Sequence, residues 1–245
     1  MSKVIAIHQP QYLPWLQLID KADHADVFIY LDDVQYQRGG LQNRNRIKTR
    51  HGSRMLTVPI KANLNSQINE VRIADTNWNR KHVDTIQQSY ARAPYIEWFK
   101  DGLRPLLERP WTFLVDLNRA VTTWLFEQFD VDCEYLLSSD LGCEGKLEEL
   151  VINLCVAAGG DVYLSGQGAR SYQNAMSFHR RGILLQYQSY SLPTYPQLHS
   201  EIGFISGLSA LDLLLNTGPE AKNILRSGRM HVAEASNKKP RCGSP

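Results

Sequence analysis

The sequence predicts an α/β fold, a Rossmann-like parallel-sheet core with a helical middle section, and three adjacent segments carry that expectation. Residues 4–7 form a short apolar run stopped by Gln9 and Pro10, the pattern of a buried first strand. Trp15, Leu16, Ile19 and Ala22 recur at helical spacing over 15–25, with Pro14 fixing the start. Residues 27–31 are β-branched and aromatic, which suits a second strand, and Asp32 and Asp33 follow at its carboxyl end. Strand, helix and strand within the first 33 residues make a βαβ unit, right-handed and with parallel strands.

The later elements follow by the same rules. Residues 55–60 read as an extended segment beside the site. Residues 77–108 alternate helical apolar spacing with Pro94 and Pro105 as breakers. Residues 111–129 make an amphipathic helix through Phe113, Leu114, Leu117, Ala120, Val121, Trp124 and Leu125. A helix over 146–158 ends at Gly159 and Gly160, and 162–164 return as a strand. Residues 183–188 form a further strand, and 209–215 a short last helix closed by Gly218 and Pro219. From Met230 the composition turns polar and reads as a disordered tail. The expected organisation is one α/β catalytic domain over 1–229, with a helical insertion around 77–130 and a tail over 230–245. No internal repeat is present.

Bulk properties exclude several classes. A chain of 245 residues, 43% hydrophobic and 21% charged, buries a core without disulfide or metal support. A net charge of +2 gives no reason to expect nucleic acid, and no 18-residue apolar run suggests a membrane span. The opening MSKVIAIHQP holds one Lys and an apolar run too short for a secretory signal, so the chain is expected in the cytoplasm. Cys133, Cys143, Cys155 and Cys242 form no C-x-x-C pair and keep no ligand spacing with the histidines. They read as free thiols, with no metal site.

In open parallel sheets, ligands gather beyond the carboxyl ends of the strands, and three candidate segments fall at such ends. The first, His8 to Trp15, packs an imidazole, two amides and a phenol between two prolines. Pro10 and Pro14 stiffen the loop, so Gln9 and Tyr12 are held at low entropic cost beside His8, a candidate general acid or base. In the second, Asp32 and Asp33 point to opposite faces of an extended chain, so one of them faces the site as base, cation ligand or hydroxyl acceptor. A capped turn is the plainer role for such a pair. In the third, Ser165, Gly166, Gln167 and Gly168 follow a strand. Their glycines allow backbone N–H groups to approach an anion, although a short Gly-x-Gly also makes an ordinary turn and lacks the dinucleotide and Walker patterns. A fourth segment bears Gln35, Asn43, Arg44, Asn45 and Arg46. Extended alternation puts both arginines on one face and both asparagines on the other, and guanidinium forks suit phosphate or carboxylate.

These residues resemble the WbqC-like protein family. The resemblance rests on I-H-Q-P-Q-Y-L-P-W, on D-K-A followed by A-D-V-F-I-Y-L-D-D-V-Q-Y, and on Q-N-R-N-R-I, in that order. It continues in Y-L-S-G-Q-G-A-R-S-Y and L-S-A-L-D-L-L-L-N-T-G, and covers about residues 3–218. It implies a setting in bacterial surface-polysaccharide or secondary-metabolite biosynthesis. The opening strand–His loop–helix–strand also resembles the start of the HIGH-type nucleotidylyltransferases. Here His8 stands alone, with Tyr12 and Pro14 where a second histidine would be sought.

The expected function is a biosynthetic transferase acting on a phosphate-bearing activated intermediate, either a nucleotide-linked amino sugar or a carrier-linked acyl group. His8 or an aspartate would deprotonate the nucleophile, and the arginines would hold the anion. An ATP-dependent nucleotidyl-transferring or adenylate-forming ligase and a non-catalytic ligand- or partner-binding protein are the alternatives. The sequence identifies no cofactor.

Overall fold

The computed structural model describes residues 2–63, 65–74, 77–230 and 233–234. In chain order the elements are β1 (Val4–His8), α1 (Leu16–Asp23), β2 (Val27–Tyr30), β3 (Arg44–Thr49), β4 (Gly52–Thr57), β5 (Ile60–Lys61) and β6 (Arg72–Ile73). Next come α2 (Trp78–Ser89), α3 (Ile96–Trp98), α4 (Arg104–Glu108), α5 (Leu114–Gln128), β7 (Glu134–Leu137), α6 (Ser138–Leu141) and α7 (Glu148–Ala157). The last are β8 (Val162–Ser165), α8 (Ala175–His179), β9 (Leu184–Tyr187), α9 (Ala210–Thr217), α10 (Ala221–Ser227) and β10 (Ala233–Glu234).

The main sheet runs β10-β9-β8-β1-β2-β7, parallel except for β10, which pairs antiparallel with β9. The chain therefore winds outward from β1 through β2 to β7, then crosses back to β8 on the other side of β1 and goes on to β9. This is the doubly wound order, and its reversal point lies between β1 and β8. The α/β, Rossmann-like expectation holds.

Alternation along the strands feeds two cores. Ala6, Phe28 and Tyr30 face α1, α5 and α9 through Leu16, Ile19, Leu117, Phe126 and Leu214. Ile5, Ile7, Val27 and Ile29 face the opposite layer, where α7 supplies Leu150, Leu154 and Cys155, and α8 supplies Phe178. Both faces of β1 are covered, which is why its sequence is a continuous apolar run. The excursion between β2 and β7 is larger and less helical than expected. It begins directly after β2 and contains the antiparallel pairs β3–β4 and β5–β6 before reaching α2 to α5. The segment expected to be extended over 55–60 is split between β4 and β5. Pro59 has no N–H for a ladder, and Val58 N turns to Asn43 O at 2.8 Å.

Other differences have local reasons. Strand β7 escapes pattern reading because its outer residues Glu134 and Tyr135 are exposed on an edge. Within the stretch read as a tail, β10 adds to β9. The rest of that tail, 231–232 and 235–245 with Cys242, lies outside the described residues; Cys133, Cys143 and Cys155 are free thiols. No helix among the described residues is long and apolar enough to cross a membrane.

Gly160 sets how closely α7 approaches β1, since a Cβ there would lie 2.2 Å from Ile5 Cγ1 and 3.3 Å from Cys155 O. Gly160→Ala is expected to destabilise the fold by about 1–3 kcal/mol through overpacking, read as a lower thermal midpoint. An unchanged midpoint would mean that β1 and α7 separate freely.

Candidate functional site

The reversal point creates a crevice at the carboxyl edge of the sheet. The last β1–β8 pair is Ala6↔Leu164, so His8 and Gly166 come two residues later on strands about 5 Å apart. On the other side His8 pairs with Tyr30, and Leu31 N donates to His8 O at 2.9 Å. His8, the start of the 31–33 segment and the 165–168 loop thus share one edge.

His8 is half-buried, and its Nδ1 lies 2.9 Å from Gln9 O. In the neutral ring that contact puts the proton on Nδ1 and leaves the Nε2 lone pair as acceptor. Burial, reinforced by the charge of Lys21, pushes the His8 pKa down to about 4, so the ring is neutral at physiological pH. Lys21 is a residue that sequence reasoning passed over, because a lysine on an amphipathic helix reads as its solvated face. Here it is buried, donates from Nζ to Ile7 O at 2.8 Å, and lies 5.9 Å from the centre of the Tyr163 ring. It therefore bridges β1 and β8, the two strands that flank the crevice. Among the described residues no carboxylate pairs with it within 4.0 Å, and burial lowers its pKa to about 8. A buried ammonium without a counter-ion is costly, and such groups concentrate at functional sites.

The aspartates divide their labour. Asp32 is buried, with Oδ1 accepting from Ser138 Oγ and Ser139 N, each at 3.0 Å, and Oδ2 from Ser139 Oγ at 2.8 Å. Its carboxylate holds α6 against β2, and its burial keeps it from solvent and from a ligand. Asp33 is only half-buried, sharing the Ser138 hydroxyl with Asp32, and is the carboxylate of the pair that can meet a ligand.

Tyr12, expected to touch substrate, is instead wholly buried, its hydroxyl 2.8 Å from His82 Nδ1. It braces the His8 loop against α2. Leu13 in that loop adopts a positive φ of 46°, and Asn45 holds its carbonyl at 2.7 Å. Gln9 Oε1 accepts from Gln42 Nε2 at 2.8 Å, and buried Asn43 donates to Val58 O at 2.9 Å. Asn45 of β3 and Asn43 just before it thus face inward, as alternation requires, and the arginines of β3 face the other way. Arg44 bonds the carbonyls of Gly39 and Gly40, and Arg46 that of Gly207 at 3.3 Å. The structure does not bring these two arginines to His8.

Ser165 is buried and donates to Gln173 Oε1 at 2.8 Å, while exposed Gln167 donates to Gln188 O at 2.8 Å and opens a 3-10 turn. Gly166 has an ordinary φ of −80°, and no atom stands within 4 Å of a Cβ at Gly166 or Gly168. The fold itself does not require glycine at either place, whereas close approach of a ligand would. Gln35 is exposed and makes a backbone bridge to Gln67. Beyond it lies a separate groove of about 880 Å³, lined by Lys61, Asn63, Gln67, Asn69, Arg72 and Phe113 among others. Asn69 N donates to Asp32 O at 2.9 Å, so the groove adjoins the end of β2.

The family model described as the WbqC-like protein family matches residues 9–224. An uncharacterized protein of Mycobacterium tuberculosis is 35% identical over 229 residues, covering 91% of this chain and 98% of that relative.

The two aspartates should separate experimentally. Asp32→Asn replaces an acceptor oxygen facing Ser138 and Ser139 with a donor, and is expected to cost about 1–3 kcal/mol in chemical denaturation. Asp33→Asn should leave stability within about 0.5 kcal/mol. Equal effects would dissolve the distinction.

A second expectation concerns acid. Burial holds His82, like His8, at a pKa of about 4, with Arg54 adding to the effect. The unfolded chain takes up these protons first, near pH 6.5, so their contribution to stability is complete above that value and is lost as pH falls toward about 4. Thermal midpoints should decline over this window, and less steeply in His8→Gln. Parallel curves for the variant and the parent would contradict the low pKa of His8.

Proposed function

This chain belongs to the WbqC-like protein family, and we propose that it is a biosynthetic transferase acting on a phosphate-bearing activated intermediate. The intermediate is a nucleotide-linked amino sugar or a carrier-linked acyl group, in surface-polysaccharide or secondary-metabolite biosynthesis. One observation carries the reading. At the reversal point of the sheet, a neutral histidine sits beside an unpaired buried ammonium and a glycine loop whose glycines the fold does not require.

Phosphate is the group that suits this combination. The backbone of Gly166 to Gly168 offers N–H donors, and Lys21 supplies positive potential between β1 and β8 in place of the arginines expected from sequence. Binding an anion there changes His8 as well. The negative charge offsets Lys21, so the imidazole becomes a stronger base in the complex than in the free protein. Its Nε2 then accepts the proton of an amine or hydroxyl nucleophile while the nucleophile's lone pair bonds to the activated centre. The bond to the leaving phosphate or thiol breaks in the same substitution. Asp33, half-buried at the end of β2, is next in line for the proton. The polar groove beyond Gln35 and Asn69 is the acceptor side, adjacent to the crevice but separate from it.

His8→Gln tests catalysis apart from binding, because the amide keeps one hydrogen bond of the imidazole. Donor affinity should persist while turnover falls about 10²–10⁴-fold. Undiminished turnover would remove His8 as the base. For the anion site the probe is a nucleoside diphosphate, followed by calorimetry. Lys21→Met should weaken binding about tenfold or more, the scale of a lost charge-assisted contact. In the parent protein, affinity should drop as pH rises through about 8, where Lys21 gives up its proton. Indifference to both changes would place phosphate elsewhere.

A further inference from the structure

The arginines that the fold turns away from His8 belong to a larger feature. Between Asp33 and Glu70 the chain holds Arg38, Arg44, Arg46, Lys48, Arg50, Arg54 and Lys61 and no carboxylate. Seven of the 27 Lys and Arg fall in this stretch and none of the 25 Asp and Glu, so a net charge of +2 conceals one strongly basic segment on an otherwise acidic chain. Among the described residues, none of the seven forms an ion pair with a carboxylate within 4.0 Å. The hydrogen bonds of Arg38, Arg44, Arg46 and Lys48 go to neutral oxygens instead.

The β3–β4 hairpin arranges these charges. Arg44, Arg46 and Lys48 share its outer face, and β3, with six residues, carries that face for about 20 Å. Lys48 is roofed by the loop at Gly203, bonded to its carbonyl at 2.7 Å; Arg46 and the turn residue Arg50 are exposed, and Arg54 of β4, paired with Ile47, is exposed on the other face of the hairpin. Met55 pairs directly with Arg46 and so lies beside it, 43% exposed, while the neighbouring loop presents Ile202 at 40% and Phe204 at 41%. One end of the face is tied to the crevice, because Gln42, two residues before β3, bonds Gln9 next to His8.

We propose that this face docks an acidic protein partner that delivers a tethered substrate into the crevice. The proposal rests on the phosphate-crevice reading and names the partner for it. Unpaired cations around exposed Met and Phe have the composition of a protein interface, where arginine, methionine and aromatic residues are enriched. A small anion would occupy one end of a face this long and leave the remaining charges idle. Single-stranded nucleic acid fits less well. Tyr36 is buried, and beside the cations the face presents the Phe204 ring and the His51 imidazole, too few rings to stack successive bases along it.

The probe is a phosphopantetheinylated acyl carrier protein, an acidic domain with a tethered thiol, titrated against the full chain and followed by fluorescence anisotropy. Saturable binding is expected, weakened about tenfold by Arg46→Glu or Arg50→Glu and by raising salt from about 50 to 300 mM. Met55→Ser, which keeps the charge, should weaken it by a smaller factor. Three outcomes would overturn the proposal: no binding at about 1 mM carrier, binding indifferent to both charge reversals, or tighter binding to a 20-residue poly-uridine or to vesicles containing phosphatidylglycerol. Nucleoside diphosphate binding, scored on the same samples, separates the two readings. If it survives while docking fails, only the partner is wrong. If docking survives while it fails, only the crevice is wrong.

Discussion

Parallel pairing of β1 on both of its edges is the constraint from which the rest follows. A strand bonded to β2 on one side and to β8 on the other must be apolar on both faces, and Ile5 and Ala6 are fully buried. Because the two neighbours belong to opposite directions of winding, their connections diverge at the carboxyl edge and leave it open. The β1 sequence therefore does two things. Its apolar residues lock the sheet, and its last residue, His8, is delivered to the place where no connection covers the strand ends.

What holds the His8 loop is polar and long-range. Leu13 in a left-handed conformation is strained by about 1–2 kcal/mol, and the strain persists only where surroundings fix it. The surroundings come from the β2–β7 excursion: Asn45 from β3, Gln42 before it, and His82 from α2 through Tyr12. A second polar knot fastens the same excursion to the end of the chain. Buried Asp212 on α9 accepts from Tyr90, Tyr195 and Gln197, and Gln197 in turn accepts from Lys48 on β3. Each knot closes on groups that would be costly to leave unpaired, so the excursion has few alternative positions over the sheet. The loop beside the crevice is thereby positioned by residues up to 70 places away in sequence.

That range marks the boundary of what the sequence makes legible. Strands β1 and β2, α1, and the strand-end positions of His8, Asp32 and Ser165 follow from local pattern, since strand periodicity and proline placement are local properties. So does the alternation over 43–46, at the start of β3, which puts Asn43 and Asn45 opposite Arg44 and Arg46. Whether Asp32 is free to react depends on Ser138, 106 residues later, and no window of sequence contains both. Lys21 fails for a related reason. A helical wheel puts it outside the apolar stripe, yet its flexible stem carries the ammonium back to Ile7, because side chains on a helix lean toward its N-terminus. The arginines illustrate the converse error. Their chemistry was readable, but which face of the hairpin met His8 was not.

The charge distribution then acquires a physical logic. Burial disfavours the charged forms of both His8 and Lys21, and the charge of Lys21 lowers His8 further. In the free protein the result is a neutral base and a weakened cation, neither of which attracts solvent ions strongly. A dianionic group entering the crevice favours protonation of both, so its binding draws protons into the site. The same negative charge that is held by Lys21 thus readies His8 to accept a proton, and base strength arises only when substrate is present. The basic hairpin lies outside this coupling because its arginines face away from the His8 loop, at the far side of Asn43 and Asn45. Lys21 is the charge that shifts His8, and solvent screens the exposed Arg46 and Arg50, leaving their charge free to act on larger partners.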